Sequence, residues 1–73
     1  MEFSALVEIF VETLSMDAED ITMEAVLADN LHMDSLDAME LNMAIEEACG
    51  KSIPDSELSE VKTVGDIFNK INA

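Results

Sequence analysis

The stretch NLHMDSLDAMELNMAIEE, Asn30 to Glu47, decides how this chain folds. It holds five acids and no base, and its Leu and Met residues fall on more than one side of a helix. Stepping about 100° per residue from Leu36 separates two faces. Ala38, Leu41, Ile45 and Ala48 form an aliphatic stripe suited to a core. Leu36, Asp37, Glu40, Met43 and Glu47 gather opposite, two apolar residues among three carboxylates. That second face cannot also be core. It is either a solvated face with incidental apolar side chains, or a docking surface with apolar anchors and steering charges. The helix has readable ends. Asp34 and Ser35 are both good N-caps, with Asp37 in the first turn where negative charge is favoured. Gly50 is a natural stop, with Lys51 just beyond.

Working outward, Phe3, Leu6, Val7, Phe10 and Leu14 fall at helical spacing, which predicts an amphipathic helix over about 2–14. A long connection follows, from Ser15 to about Met33. Its spaced apolar residues (Ile21, Val26, Leu27, Leu31) predict that it is pinned to the core, with a short turn of helix near Glu24–Ala28. Loops this long in small domains are often functional. Beyond Gly50, Ile53-Pro54-Asp55 breaks the chain, and a short helix is expected over about 56–60 with Leu58 and Val61 turned inward. The last helix opens at Thr63, where Thr63-Val64-Gly65-Asp66 is a capping box with Asp in place of Glu. Val64, Ile67, Phe68 and Ile71 supply its apolar stripe. The expected fold is all-α: a small four-helix bundle of three main helices and one short one, with a long first loop. Residues 1–73 are expected to form a single domain. There is no repeat, linker or low-complexity tract.

Charge restricts the function further. The net charge is −14, from 17 acids against 3 bases, and all three bases (Lys51, Lys62, Lys70) lie after Gly50. Residues 1–50 therefore hold 13 acids and no base. Nucleic acid and anionic membrane surfaces would be repelled, whereas a partner with a basic patch would be steered in. Like-charged copies repel, so a monomer is expected. Acidic chains are often disordered, yet here 49% of residues are hydrophobic and recur at helical spacing, which favours a folded domain. No stretch is long enough to insert across a membrane. An acidic N-terminus whose apolar run is broken by Glu8 and Glu12 predicts no signal peptide. The lone Cys49 excludes an internal disulfide and fits a reducing, cytoplasmic setting. It reads as a helix-end residue with Lys51 as its one cationic neighbour. No segment matches a calcium-binding loop, and His32 has no companions for a metal site or a triad. No catalytic residue and no metal ligand is expected.

Ser35 stands apart. Capping is the ordinary role of a serine at a helix start. The alternative is a hydroxyl held at a helix N-terminus, where a phosphate ester would meet free N–H groups and the positive end of the helix dipole, worth about 0.3–1 kcal/mol. That would make Ser35 an attachment point and not a catalyst.

DSLDAMEL, Asp34 to Leu41, resembles the phosphopantetheine attachment motif of acyl carrier proteins, in which a D-S-L opens the second helix. The likeness covers nearly the whole chain: the amphipathic first helix, EDIT in the long loop, ADNLHMDSLD, AIEEACG, IPDSEL and the closing KTVGDIFNKI. It implies a four-helix bundle that carries acyl groups as thioesters on a 4′-phosphopantetheine arm. A phosphopantetheinyl transferase would move that arm from coenzyme A onto Ser35, with Asp34 helping to present the metal-bound donor. The family's recognition helix matches Leu36, Asp37, Glu40, Met43 and Glu47, the face already set apart by spacing. Partners implied are fatty-acid or polyketide synthesis enzymes with basic docking patches. Because the family shelters its cargo between helices, Leu41, Ile45, Ile53, Leu58 and Val61 become candidate walls of an acyl pocket, each otherwise a core residue. One position departs: many members carry Gly two residues before the D-S pair, where this chain has His32. The leading expectation is a freestanding carrier for fatty-acid enzymes. A carrier for a polyketide or other specialised pathway, or an unmodified acidic interaction module, are the alternatives.

Overall fold

A computed structural model describes all residues, Met1–Ala73. Four helices appear in the expected order: α1, Phe3–Leu14; α2, Ser35–Cys49; α3, Asp55–Leu58; and α4, Val64–Ile71. None is long and apolar enough to cross a membrane. One core joins them, and its most deeply buried side chains are Leu6 and Phe10 from α1, Leu41 and Ile45 from α2, and Val64 and Ile67 from α4.

The α1 stripe is as read, with Leu6 and Phe10 buried and Phe3, Val7 and Leu14 half-buried against the core. Phe3 meets Phe68 of α4 edge to face, with centroids 5.4 Å apart, a geometry that adds to simple burial. The helix stops where Ser15 turns left-handed, at φ 57°. In α2, Leu41 and Ile45 are buried and Ala38 is half-buried, but Ala48 is exposed. Its place in the expected stripe is corrected: it lies in the last turn, beyond Ile45, the final residue that α2 gives to the core. Gly50, at φ 77°, closes the helix by donating its N–H to the Glu46 carbonyl at 2.8 Å.

The first loop is pinned as expected, with Ile21, Leu27 and Leu31 buried and Val26 half-buried. The helical turn expected near Glu24–Ala28 does not form. The backbone there is committed elsewhere: Leu27 N–H donates to the Lys62 carbonyl, while Val64 and Gly65 N–H donate to the carbonyls of Ala25 and Met23. Val26 and Thr63 form an isolated antiparallel bridge. The loop's one helical turn is a 3-10 turn at Ala18–Asp20. This pairing explains Gly65, because a Cβ there would sit 2.8 Å from the Met23 carbonyl oxygen.

α3 starts one residue earlier than expected and ends two earlier. After Leu58 the chain tightens to i→i+3 bonds, Glu60 N–H to Glu57 and Val61 N–H to Leu58, the usual way a short helix ends. The Thr63–Asp66 capping box on α4 forms as read: Asp66 N–H donates to Thr63 Oγ1 at 3.1 Å and Thr63 N–H donates to Asp66 Oδ2 at 3.2 Å. A further N–H, from Lys62, reaches the same carboxylate oxygen at 3.0 Å.

Candidate functional site: a spare serine at the mouth of α2

The choice between Asp34 and Ser35 as N-cap is settled by two hydrogen bonds. Asp37 N–H donates to Asp34 Oδ1 at 2.9 Å, and Asp34 N–H donates to Asp37 Oδ2 at 3.3 Å. This is a reciprocal capping box built from two aspartates. Ser35 is the first residue of the helix proper, exposed, and takes no part in the cap. The capping role for Ser35 is thereby overturned. Capping boxes usually carry Glu or Gln three residues on; Asp37 serves instead.

The local electrostatics suit a phosphate ester on Ser35. The first N–H groups of any α-helix lack intrahelical partners, and the box satisfies that of Asp37 while Ala38 N–H reaches the Asp34 carbonyl at 3.1 Å. Ser35 and Leu36 thus present their N–H groups at the positive end of a 15-residue helix, next to the hydroxyl. The two aspartates oppose this with their own charge, but both spend a carboxylate oxygen on the cap.

Around the serine, the residues expected for docking divide by exposure. Leu36 and Met43 are 60% and 61% exposed, and Glu40 and Glu47 are exposed beside them. Asp37 is half-buried and tied into the cap, at the margin of the face. Met39, outside the face set apart by spacing, is 57% exposed and joins Leu36 to Met43. It lies one turn after Ser35, and an i, i+4, i+8 reading from the serine through Met39 to Met43 is the signal that would have found it.

The residues expected to wall an acyl pocket separate into two groups. Leu58 and Val61, with Val26, Leu27, Met33 and Ala38, border an apolar cleft of about 250 Å³ that reaches Asp34. Leu41, Ile45 and Ile53 are packed in the core and border none of the open hollows, so any occupant reaching them would have to displace them. A residue absent from the sequence argument organises this side of the site. The Asn42 side chain accepts from Ile53 N–H at 2.9 Å and donates to the Ile53 carbonyl at 2.8 Å, which fixes the approach to α3. His32 is exposed, with its backbone left-handed at φ 54°.

Comparison with known proteins agrees with this geometry. A family model described as phosphopantetheine attachment site matches residues 4–71. An acyl carrier protein of Clostridium perfringens is 45% identical over 69 residues, covering 94% of this chain and 91% of the relative. The acyl carrier protein of Thermosynechococcus vestitus is 47% identical over 64 residues, covering 88% and 79%. That of Clostridium acetobutylicum is 42% identical over 73 residues, covering 100% and 95%. With Ser35 free at the start of α2 and the match running almost end to end, this chain belongs to the acyl carrier protein family of phosphopantetheine-bearing domains.

Proposed function

We propose that this protein carries acyl chains for fatty-acid synthesis on a 4′-phosphopantetheine arm joined to the Ser35 hydroxyl. The observation that supports this best is the Asp34–Asp37 box, which leaves an exposed hydroxyl at the first position of α2 with no structural duty. The residues present fit the arm: a phosphodiester on Ser35 Oγ would meet the N–H groups of Ser35 and Leu36, and the exposed setting leaves the arm free to swing. When attached, the arm supplies a terminal thiol that holds the acyl group as a thioester, and partner enzymes perform the reactions.

The chain's own residues bind and orient. Asp34 fixes the helix start with one carboxylate oxygen, which leaves the other to help present the transferase's metal-bound donor to the neighbouring Ser35. Leu36, Met39 and Met43 supply exposed apolar contact area, and Glu40 and Glu47 give the charge that draws in enzymes with basic patches. Leu58 and Val61 offer the apolar cleft next to the anchor as shelter for the chain. The setting is the cytoplasm, where coenzyme A and the transferase would be at hand.

Intact-mass measurement tests this directly. Incubated with coenzyme A and a broad-specificity phosphopantetheinyl transferase, the apo protein should gain the mass of one phosphopantetheine, and Ser35→Ala should gain nothing. A chain that stays at its apo mass would instead be an acidic interaction module.

A further inference from the structure

The fold sorts the chain's six methionines into two classes. Met1, Met16 and Met33 are half-buried against the core, where packing restricts access to the sulfur. Met39 and Met43 stand 57% and 61% exposed on α2, and Met23 stands 38% exposed in the first loop. Four positions apart, Met39 and Met43 share a helix face. Both border one hollow together with Leu36, Glu40 and Asp55. The apolar part of the docking face is thus two thioethers and one leucine. Met39 also borders the hollow that contains Ser35, so an enzyme acting on that hydroxyl covers this face.

We propose that Met39 and Met43 form an oxidation site, at which hydrogen peroxide switches the docking face off while the fold stays intact. This rests on the docking role given to that face above. Charge selects the oxidant: a molecule of net charge −14 repels anionic oxidants, whereas hydrogen peroxide is neutral and reaches the face freely. In the step, a sulfur lone pair attacks one peroxide oxygen. An S–O bond forms as the O–O bond breaks, and the other oxygen leaves with both protons as water. Sulfur loses two electrons and the peroxide gains them. Each sulfoxide puts a polar group where a flexible apolar side chain stood. An interface built on these side chains loses an anchor at each, and loss of one well-buried apolar side chain weakens binding about tenfold or more. The core is untouched, because neither residue belongs to it. Two sulfoxide reductases, one for each epimer, would reverse the change.

The test uses the apo chain carrying Cys49→Ser, which removes the exposed thiol that would compete for oxidant. Hydrogen peroxide is applied over a time course, destroyed with catalase, and cleared before any enzyme is added. Peptide mapping should show one oxygen gained at Met39 and at Met43 ahead of Met1, Met16 and Met33. The treated chain should keep its thermal unfolding midpoint. Its KM for transfer of the phosphopantetheine arm should rise about tenfold or more, with kcat little changed, and sulfoxide reductases should restore it. Met39→Leu/Met43→Leu, compared with itself before and after peroxide, should show no rise, whatever its starting KM. Equal oxidation of exposed and half-buried methionines, an unchanged KM once both are oxidised, or the same rise in the double leucine variant overturns the oxidation site. A chain that takes no arm even before peroxide refutes the carrier reading and the switch together, which tells that failure from the other three.

Discussion

His32 occupies a left-handed backbone position, φ 54°, two residues ahead of the aspartate that caps α2. For a residue with a Cβ that conformation costs about 1–2 kcal/mol, and histidine is among the side chains found there more often than most. Glycine adopts it freely but loses more entropy on folding, by roughly 0.5–1 kcal/mol. The turn into Asp34 takes positive φ, the conformation that suits glycine, and this chain meets that need with a less suitable residue. His32→Gly should stabilise the protein by about 0.5–1 kcal/mol, the difference between those two terms, without altering loading at Ser35. Chemical denaturation would show a higher midpoint with an unchanged slope. A lower midpoint would mean that the His32 side chain makes a stabilising contact of its own. Ser35 illustrates the opposite economy, since a neighbour that takes over the cap leaves the serine free for chemistry.

Among the elements, α1 and α4 were the most legible in the sequence, because their signals are local. The stripe of Leu6 and Phe10 and the Thr63–Asp66 box each lie within one helix and need no distant partner. What the sequence concealed depends on pairing across the fold. The stretch 24–28 has helical spacing, yet its N–H and carbonyl groups are drawn into pairing with 62–64. Leu36 and Met43 could be set apart by angle, whereas Met39 needed the serine as a reference point. Asn42 reads as an ordinary polar helix residue, because its partner Ile53 is eleven positions away. That contact holds the approach to α3, and replacing it tests how strongly. Asn42→Leu leaves the N–H and carbonyl of Ile53, itself 3% exposed, without their partners. Unpaired buried groups cost about 1–3 kcal/mol together with the lost bonds. Asn42→Asp retains the acceptor for the N–H but sets a carboxylate against the carbonyl. Both variants should therefore denature at lower urea, and amide exchange should quicken at Ile53. An unchanged midpoint in both would show the pair to be dispensable.

At the scale of the whole molecule the governing fact is 17 acids against 3 bases within a body of 25 × 22 × 19 Å. One ion pair forms, Lys70 to Glu57, leaving most carboxylates to repel one another. At 0.01 M salt the screening length is about 30 Å, longer than the molecule, so charges on opposite sides interact; at 1 M it is about 3 Å and each is isolated. Added salt should consequently raise the unfolding temperature while slowing association with a basic-patched enzyme, since the same screening removes steering. Acid acts on the caps: the N–H groups of Lys62 and Thr63 hold the Asp66 carboxyl below the ordinary 3.8. A carboxylate with a depressed folded pKa contributes in full above the unfolded value and loses that contribution as pH falls through the folded one. Stability should accordingly drop below about pH 3.8, and Asp66→Asn should start lower at neutral pH and show a shallower acid drop. An unfolding temperature that is flat or falling with salt at pH 7 would show that self-repulsion is not what limits this fold.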